Sequence, residues 1–410
     1  MGAAPAVYGS RPGKRRRAPQ ARKRVNVKRR FIVSFLLACV ALWTACVLHA
    51  RQGVPGTPYD LEVTPWEEAA ALFRTDPRWL GGDGATSVDL GNDRTLWLFG
   101  DSLVDLQGSG SRRNACLVRN TVAVQEGRLS APAKMTFYWK VLGNRPRPFF
   151  AGENGDWFWP GSGSRVGTGL VVFLVRVRLS DNPLGFEAAG WKAVFVPNAD
   201  AEPTLWAQRK VFDEPGSRVL VGSACCLVTD GYLYAFGSDV AGGCAYAARW
   251  PVSRAAVGDL SAPEWWMGPG IGWTSAPRRT RGPAPVFTGA QSEFSIHFVP
   301  DLKGYLAVQT ISMTDRRVGV RYAPAIDRAW SDPAGVYAPP ECADRTLFVY
   351  AAKAHTAFDG TWGAITYAVN TLDESRLLSD MNIYYPRVLK VTLCTAAQDR
   401  PGMGNERTDQ

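Results

Sequence analysis

One pattern returns five times along the chain: a run of strand-forming residues that follows a polar turn. The runs are "TLWLFGDS" from Thr95, "GLVVFLVR" from Gly169, "YLYAFGSD" from Tyr232, "YLAVQTIS" from Tyr305 and "AITYAVNT" from Ala364. Their mean spacing of about 67 residues suits four strands with their connections, which is the unit of a propeller blade. Both faces of these runs are apolar, as expected when neighbouring sheets cover each one on both sides. A two-sheet sandwich would show cleaner alternation and no long fixed period. The expected fold is therefore all-β, a five-bladed β-propeller over residues 81–398.

The first 80 residues read differently. Residues 1–30 hold eleven basic side chains and no acid, and removing those eleven from the 47 Lys and Arg leaves the rest nearly balanced against 37 Asp and Glu. A near-neutral body argues against a nucleic-acid partner. The run "FIVSFLLACVALWTACVLHA", residues 31–50, abuts the basic tail, and its first eighteen residues carry no charge. That length spans hydrocarbon as a helix, and the basic flank stays in the cytoplasm. We expect an uncleaved transmembrane signal anchor there, a linker over residues 51–80 with one or two helical turns in "WEEAAALFRTDPRW", and a disordered tail over residues 399–410.

Six cysteines lie beyond the anchor, Cys116, Cys225, Cys226, Cys244, Cys342 and Cys394, and six allow fifteen pairings among which a sequence cannot choose. Adjacent Cys225 and Cys226 read as strand residues facing opposite sides. With only His297 and His355 outside the anchor and no paired C-x-x-C, no zinc site is expected, and no cofactor.

The stretch "GGDGATSVDLGNDRTLWLFGDSLVD" carries an acid at each open end of a hairpin. If Gly91, Asn92 and Asp93 form a three-residue loop, Leu90 faces Arg94, and Asp83 and Asp101 fall directly opposite one another on one face. Carboxylates that close repel, which separates their proton affinities as acid/base chemistry on a glycosidic bond requires. Glu293 in "SEFSIHF" precedes the fourth blade's turn much as Asp83 precedes the first, giving a third acid. Trp157 and Trp159 in "DWFWPG" are placed where an indole could stack on a sugar while its N–H bonds a hydroxyl.

The segments "DGATSVDLGNDRTLWLFGDSLV", "VRNTVAVQ", "FWPGSGSRVGTGLVVFLVRV", "SEFSIHF", "YAAKAHTAFDGTWGAITYAVNT" and "YYPRV" resemble, in order, the motifs of bacterial five-bladed propellers long catalogued as a domain of unknown function. Members of that family are endo-D-arabinanases, glycoside hydrolase family 183. The resemblance runs from about Gly81 to Leu393. It implies that Asp83 and Asp101 are the catalytic pair and that Asn120, Trp159, Glu293, His355 and Asn370 line the funnel and hold the sugar. One departure is "KAHT", where His followed by Pro is the family pattern. Together these readings imply a glycoside hydrolase of the bacterial inner membrane, single-pass, facing the periplasm or cell envelope. D-arabinan is its first candidate substrate. In that scheme Asp83 is base or nucleophile, Asp101 the general acid, and Glu293 a tuner of proton affinity or an alternative acid. The rival is a non-catalytic glycan-binding propeller using the same funnel.

Overall fold

The computed structural model describes residues 51–128, 133–241, 243–275, 282–355 and 363–395. The expected basic tail, transmembrane segment and C-terminal tail lie outside the described residues. Among the described residues no helix is long and apolar enough to cross a membrane.

Five antiparallel sheets follow one another along the chain, each built from its inner strand outward. Blade 1 is Thr86–Gly91, Arg94–Phe99, Thr121–Glu126 and Lys134–Tyr138; blade 2 is Trp157–Val166, Gly169–Leu179, Phe186–Val196 and Arg209–Pro215. Blade 3 is Cys225–Thr229, Tyr232–Ser238 and Gly243–Pro251, with its fourth position shared by Glu264–Trp266 and Phe287–Ala290. Blade 4 is Phe294–Val299, Gly304–Thr310, Val318–Ala323 and Ala334–Tyr337. Blade 5 is Leu347–His355, Ala364–Thr371 and Arg387–Thr395, completed by Tyr59–Pro65.

The inner strands touch in cyclic order, and the fifth returns to the first. An apolar cluster fills each junction. Leu96 and Val122 of blade 1 meet Val172 and Val194 of blade 2, and Phe173 and Trp191 meet Leu233 and Trp250 of blade 3. Phe236 meets Phe294 of blade 4, Val308 and Val320 meet Val349 and Ile365 of blade 5, and Val388 returns to Trp97 and Phe99 of blade 1. Each sheet therefore buries both faces, which is why the recurring runs lack alternation. Cys225 joins the junction of blades 3 and 4 while Cys226 packs toward that of blades 2 and 3. Burial pushes the Cys225 thiol up to about 12. All six described cysteines are free thiols.

The linker expectation needs correction. Tyr59–Pro65 pairs with Arg387–Thr395 over its whole length, from Tyr59 opposite Thr395 to Pro65 opposite Leu389. Its alternation turns Leu61 and Val63 into the core between blades 4 and 5, so this strand closes the ring by joining the two ends of the described chain. The expected helical turns follow as Glu67–Ala71 and Leu72–Arg74, whose Ala69, Leu72 and Phe73 pack between blades 5 and 1.

The first hairpin keeps its expected register by a different route. Asn92 and Asp93 both take left-handed backbone, with φ of 55° and 54°, so the turn has two residues, not three. Gly91 pairs with Arg94, and a bulge between Asp89 and Gly91 absorbs Leu90. One residue fewer in the loop and one more in the strand cancel, leaving Thr86 opposite Leu98.

Candidate active site

Just before blade 1's inner strand, the ladder breaks across three strands at once. Trp79–Gly82, Ser102–Val104 and Cys116–Val118 form a separate small sheet. The breaks between it and blade 1 hold Asp83, Asp101, Arg119 and Asn120. Gly84 and Ala85 take positive φ, 85° and 44°. Asp83 N–H donates to the Asp101 carbonyl (3.3 Å), and Gly100 N–H donates to the Asp83 carbonyl (2.9 Å), so Gly100 and Asp101 together face Asp83 as a bulge. A Cβ on Gly100 would stand 2.6 Å from Asp83 Oδ1, which is why this position in "FGD" takes glycine.

Each acid has its own partners. Tyr350 Oη donates to Asp83 Oδ2 at 2.9 Å. Trp159 Nε1 donates to Asp101 Oδ1 at 2.8 Å, and the Arg119 guanidinium donates to Oδ2 at 2.9 Å while lying 4.3 Å from the centre of the Trp157 ring. Lys353, only 2% exposed, donates to Glu293 Oε1 at 2.7 Å and to the Gly84 carbonyl. Tyr384 Oη donates to the Asp101 carbonyl at 2.8 Å.

Burial, then the charges of Asp101 and Glu293, push Asp83 up to about 8, against the Tyr350 hydroxyl and Lys353. Burial raises Asp101 too, opposed by the Trp159 indole N–H and by Arg119. The electrostatics thus run opposite to the expected role order: Asp83 holds a proton at neutral pH, and Asp101 is the acid that faces a cation.

The remaining sequence candidates divide. Glu293 joins the pair through Lys353, and Asn370 Nδ2 lies 3.5 Å from the Tyr350 hydroxyl, one step behind Asp83. Trp159 is present, but its N–H is committed to Asp101 instead of a sugar hydroxyl. Trp157 is 8% exposed and packs under Arg119. Asn120 is fully buried, and its amide clamps backbone: Nδ2 donates to the carbonyls of Phe150 and Phe158, and Oδ1 accepts from Phe150 N–H. His355 is 1% exposed near the far end of its strand, with Nδ1 at 2.8 Å from Ser87 Oγ and Nε2 at 2.7 Å from Thr366 Oγ1. Neither side chain has a polar atom left for substrate, because the fold has already used them.

Sequence reasoning missed Arg119 and Tyr384, although each sits inside a quoted motif, "VRNT" and "YYPRV". It also missed Tyr350. A cavity of about 1120 Å³ opens at the other end of the inner strands, lined by Gly91, Gly167, Asp230 and Pro300 of their turns, and its lining does not include Asp83, Asp101 or Glu293.

The fold and site define a five-bladed propeller with a cluster of carboxyl groups at one mouth of its channel. Residues 67–391 match the family described as "Domain of unknown function (DUF5005)", and the chain belongs to it. No curated protein matches the sequence. Solved structures of similar shape include a Bacteroides ovatus ATCC 8483 protein provisionally described as a hydrolase, at TM-score 0.66 and 16% identity over 81% of this chain and 90% of that one. The alpha-L-arabinofuranosidase PaAbf62A from Podospora anserina follows at 0.41 and 10% over 77% and 92%. The GH43_1 enzyme from Xanthomonas citri gives 0.42 and 11% over 78% and 90%. Of these three, the first speaks to the fold.

Proposed function

We propose that this chain is a glycoside hydrolase cleaving a furanose-containing polysaccharide or glycan, with D-arabinan the first candidate, and that residues 31–50 hold it in the bacterial inner membrane with the propeller facing the periplasm or cell envelope. The observation that carries the reading is the bulge that sets Asp83 across from Asp101, in surroundings whose burial and negative charge push the Asp83 carboxyl up to about 8. Asp83 gives its proton to the leaving glycosidic oxygen. Asp101, whose charged form Arg119 and the Trp159 N–H favour against burial, attacks the anomeric carbon or activates a water against it. This assignment exchanges the roles read from the sequence. Glu293 contributes negative charge that helps hold the proton on Asp83.

The test is release of oligosaccharide from D-arabinan, within a panel of envelope polysaccharides, by the full chain and by Asp83→Asn and Asp101→Asn. Each variant is expected to lose on the order of 10³-fold in turnover or more. Saturable binding with no product from any polysaccharide would favour the non-catalytic propeller. Wild-type turnover in both variants would overturn the pair.

A further inference from the structure

The inner strand of blade 5 changes face partway along. Leu347 and Val349 point into the junction with blade 4, and so do Ala352 and Ala354. Strict alternation would put 347 and 352 on opposite faces. The change falls at Ala351, whose φ is 56°, where the pairing slips between Tyr350 opposite Ala368 and Lys353 opposite Thr366. This bulge turns Tyr350, Lys353 and His355 all toward blade 1, where they reach Asp83, Gly84 and Ser87 respectively. Two polar side chains that a regular strand would have split between faces converge on one corner of the first hairpin.

We propose that Tyr350 is a positioning residue for the reaction, its hydroxyl occupying Asp83 Oδ2 so that the transferable proton is carried on Oδ1. The proposal rests on Asp83 as the acid of the preceding section. Oδ1 is the oxygen beside Gly100, where the missing Cβ leaves room. The proton passes from Oδ1 to the glycosidic oxygen as that oxygen's bond to the anomeric carbon breaks and the bonding electron pair stays with the oxygen. Asp83 is left as a carboxylate whose Oδ2 already accepts from Tyr350, so the donor stabilises the form produced by transfer. Asn370 Nδ2 supports the hydroxyl from behind at 3.5 Å. The other charged or titratable groups facing Asp83 are Asp101 in the break after the second strand of blade 1, Glu293 ahead of blade 4, Lys353 on the same strand as Tyr350, and Tyr384 before the last strand; Arg119 acts on Asp101.

The experiment follows the Asp83 side-chain carboxyl by NMR across pH in the full chain labelled with ¹³C-aspartate, the signal being assigned by its loss in Asp83→Asn. In Tyr350→Phe the midpoint is expected to rise by about one pH unit. The alkaline limb of kcat/KM is expected to rise with it, while kcat falls about tenfold and KM changes less than about twofold. An Asp83 midpoint unchanged in a folded Tyr350→Phe overturns the proposal. If Tyr350→Phe does not fold, Asn370→Ala carries the same measurement, with a smaller rise expected and no movement again overturning it. The NMR readout needs no substrate, so an enzyme inactive on every polysaccharide would overturn the reaction while Tyr350 is still judged.

Discussion

Gly81 lies so close to Tyr384 that a Cβ on the glycine would stand 2.3 Å from the tyrosine's carbonyl oxygen, which also accepts the N–H of Gly82 at 2.9 Å. The contact joins the chain just ahead of the first hairpin to the loop before the last strand, both at positive φ: Gly81 has φ 125°, which glycine takes freely, and Tyr384 has φ 64°. Gly81→Ala meets a clash and an unfavourable backbone together, and is expected to cost roughly 2–3 kcal/mol. Urea unfolding at constant m-value checks it.

Asp83→Asn is expected to remove activity and stabilise the protein. The native state keeps the Asp83 proton up to about pH 8, whereas the unfolded chain gives it up near the ordinary aspartate value of 3.8. Wild-type stability is therefore lost as pH rises from about 4 to about 8, since the unfolded state binds fewer protons there. Asparagine does not titrate. Melting temperatures of the two proteins should converge near pH 4.5 and differ by on the order of 2–5 °C near pH 8.5, the variant being higher. Equal melting at alkaline pH would show that Asp83 ionises freely.

Arg119→Met takes the cation from Asp101 and leaves Trp159 in place. The proton affinity of Asp101 then rises further, because Arg119 opposes the effect of burial. As turnover requires Asp101 ionised, the acid limb of kcat/KM should move up by about half to one pH unit with the alkaline limb unmoved. Movement of both limbs together would mean that the two carboxyls do not have separate roles.

His355→Ala separates a core histidine from a sugar-binding one. It strips partners from the hydroxyls of Ser87 and Thr366 and leaves a gap beside Trp97, whose ring lies 4.9 Å away. A loss of about 2–4 kcal/mol in stability is expected, with KM unchanged for the folded protein. A KM raised tenfold in a protein of unaltered stability would return His355 to the substrate.

A chain beginning at Glu67 keeps all residues of the family match and loses the closing strand. It should fail to give a monomer, because the outer edge of Arg387–Thr395 is left unpaired and the core loses Leu61 and Val63. Size-exclusion chromatography distinguishes this from a chain beginning at Arg51.

The blades were legible because inner and second strands bury both faces, so "GLVVFLVR" and "YLYAFGSD" announce themselves by composition alone. The closing strand was not. "YDLEVTP" is short, sits among Gly and Pro, and has meaning only beside Arg387–Thr395, more than three hundred residues later. The placement of Asp83 across from Asp101 followed from turn arithmetic, and the structure reaches it through two compensating errors in that arithmetic, a shorter loop and a bulge. Tyr350 and Lys353 were beyond such counting. Their convergence comes from an irregularity at Ala351, and local sequence does not say which side of a strand an extra residue will turn. His355 and Asn120 have the right types at the right places in a motif, yet both are consumed by neighbours that no linear pattern reveals.

The bulge at Leu90 gives the far loop an influence on chemistry it never touches. Asn92 and Asp93 stand eight to ten residues from each acid, and the extra residue at Leu90 is what lets a two-residue turn leave Thr86 opposite Leu98; a change of length there leaves Asp83 in place only if the strand gains or loses a bulge to match. Variation at that loop is therefore constrained by phase: a length change offset by a bulge is silent at the mouth, and one left unmatched disarms it.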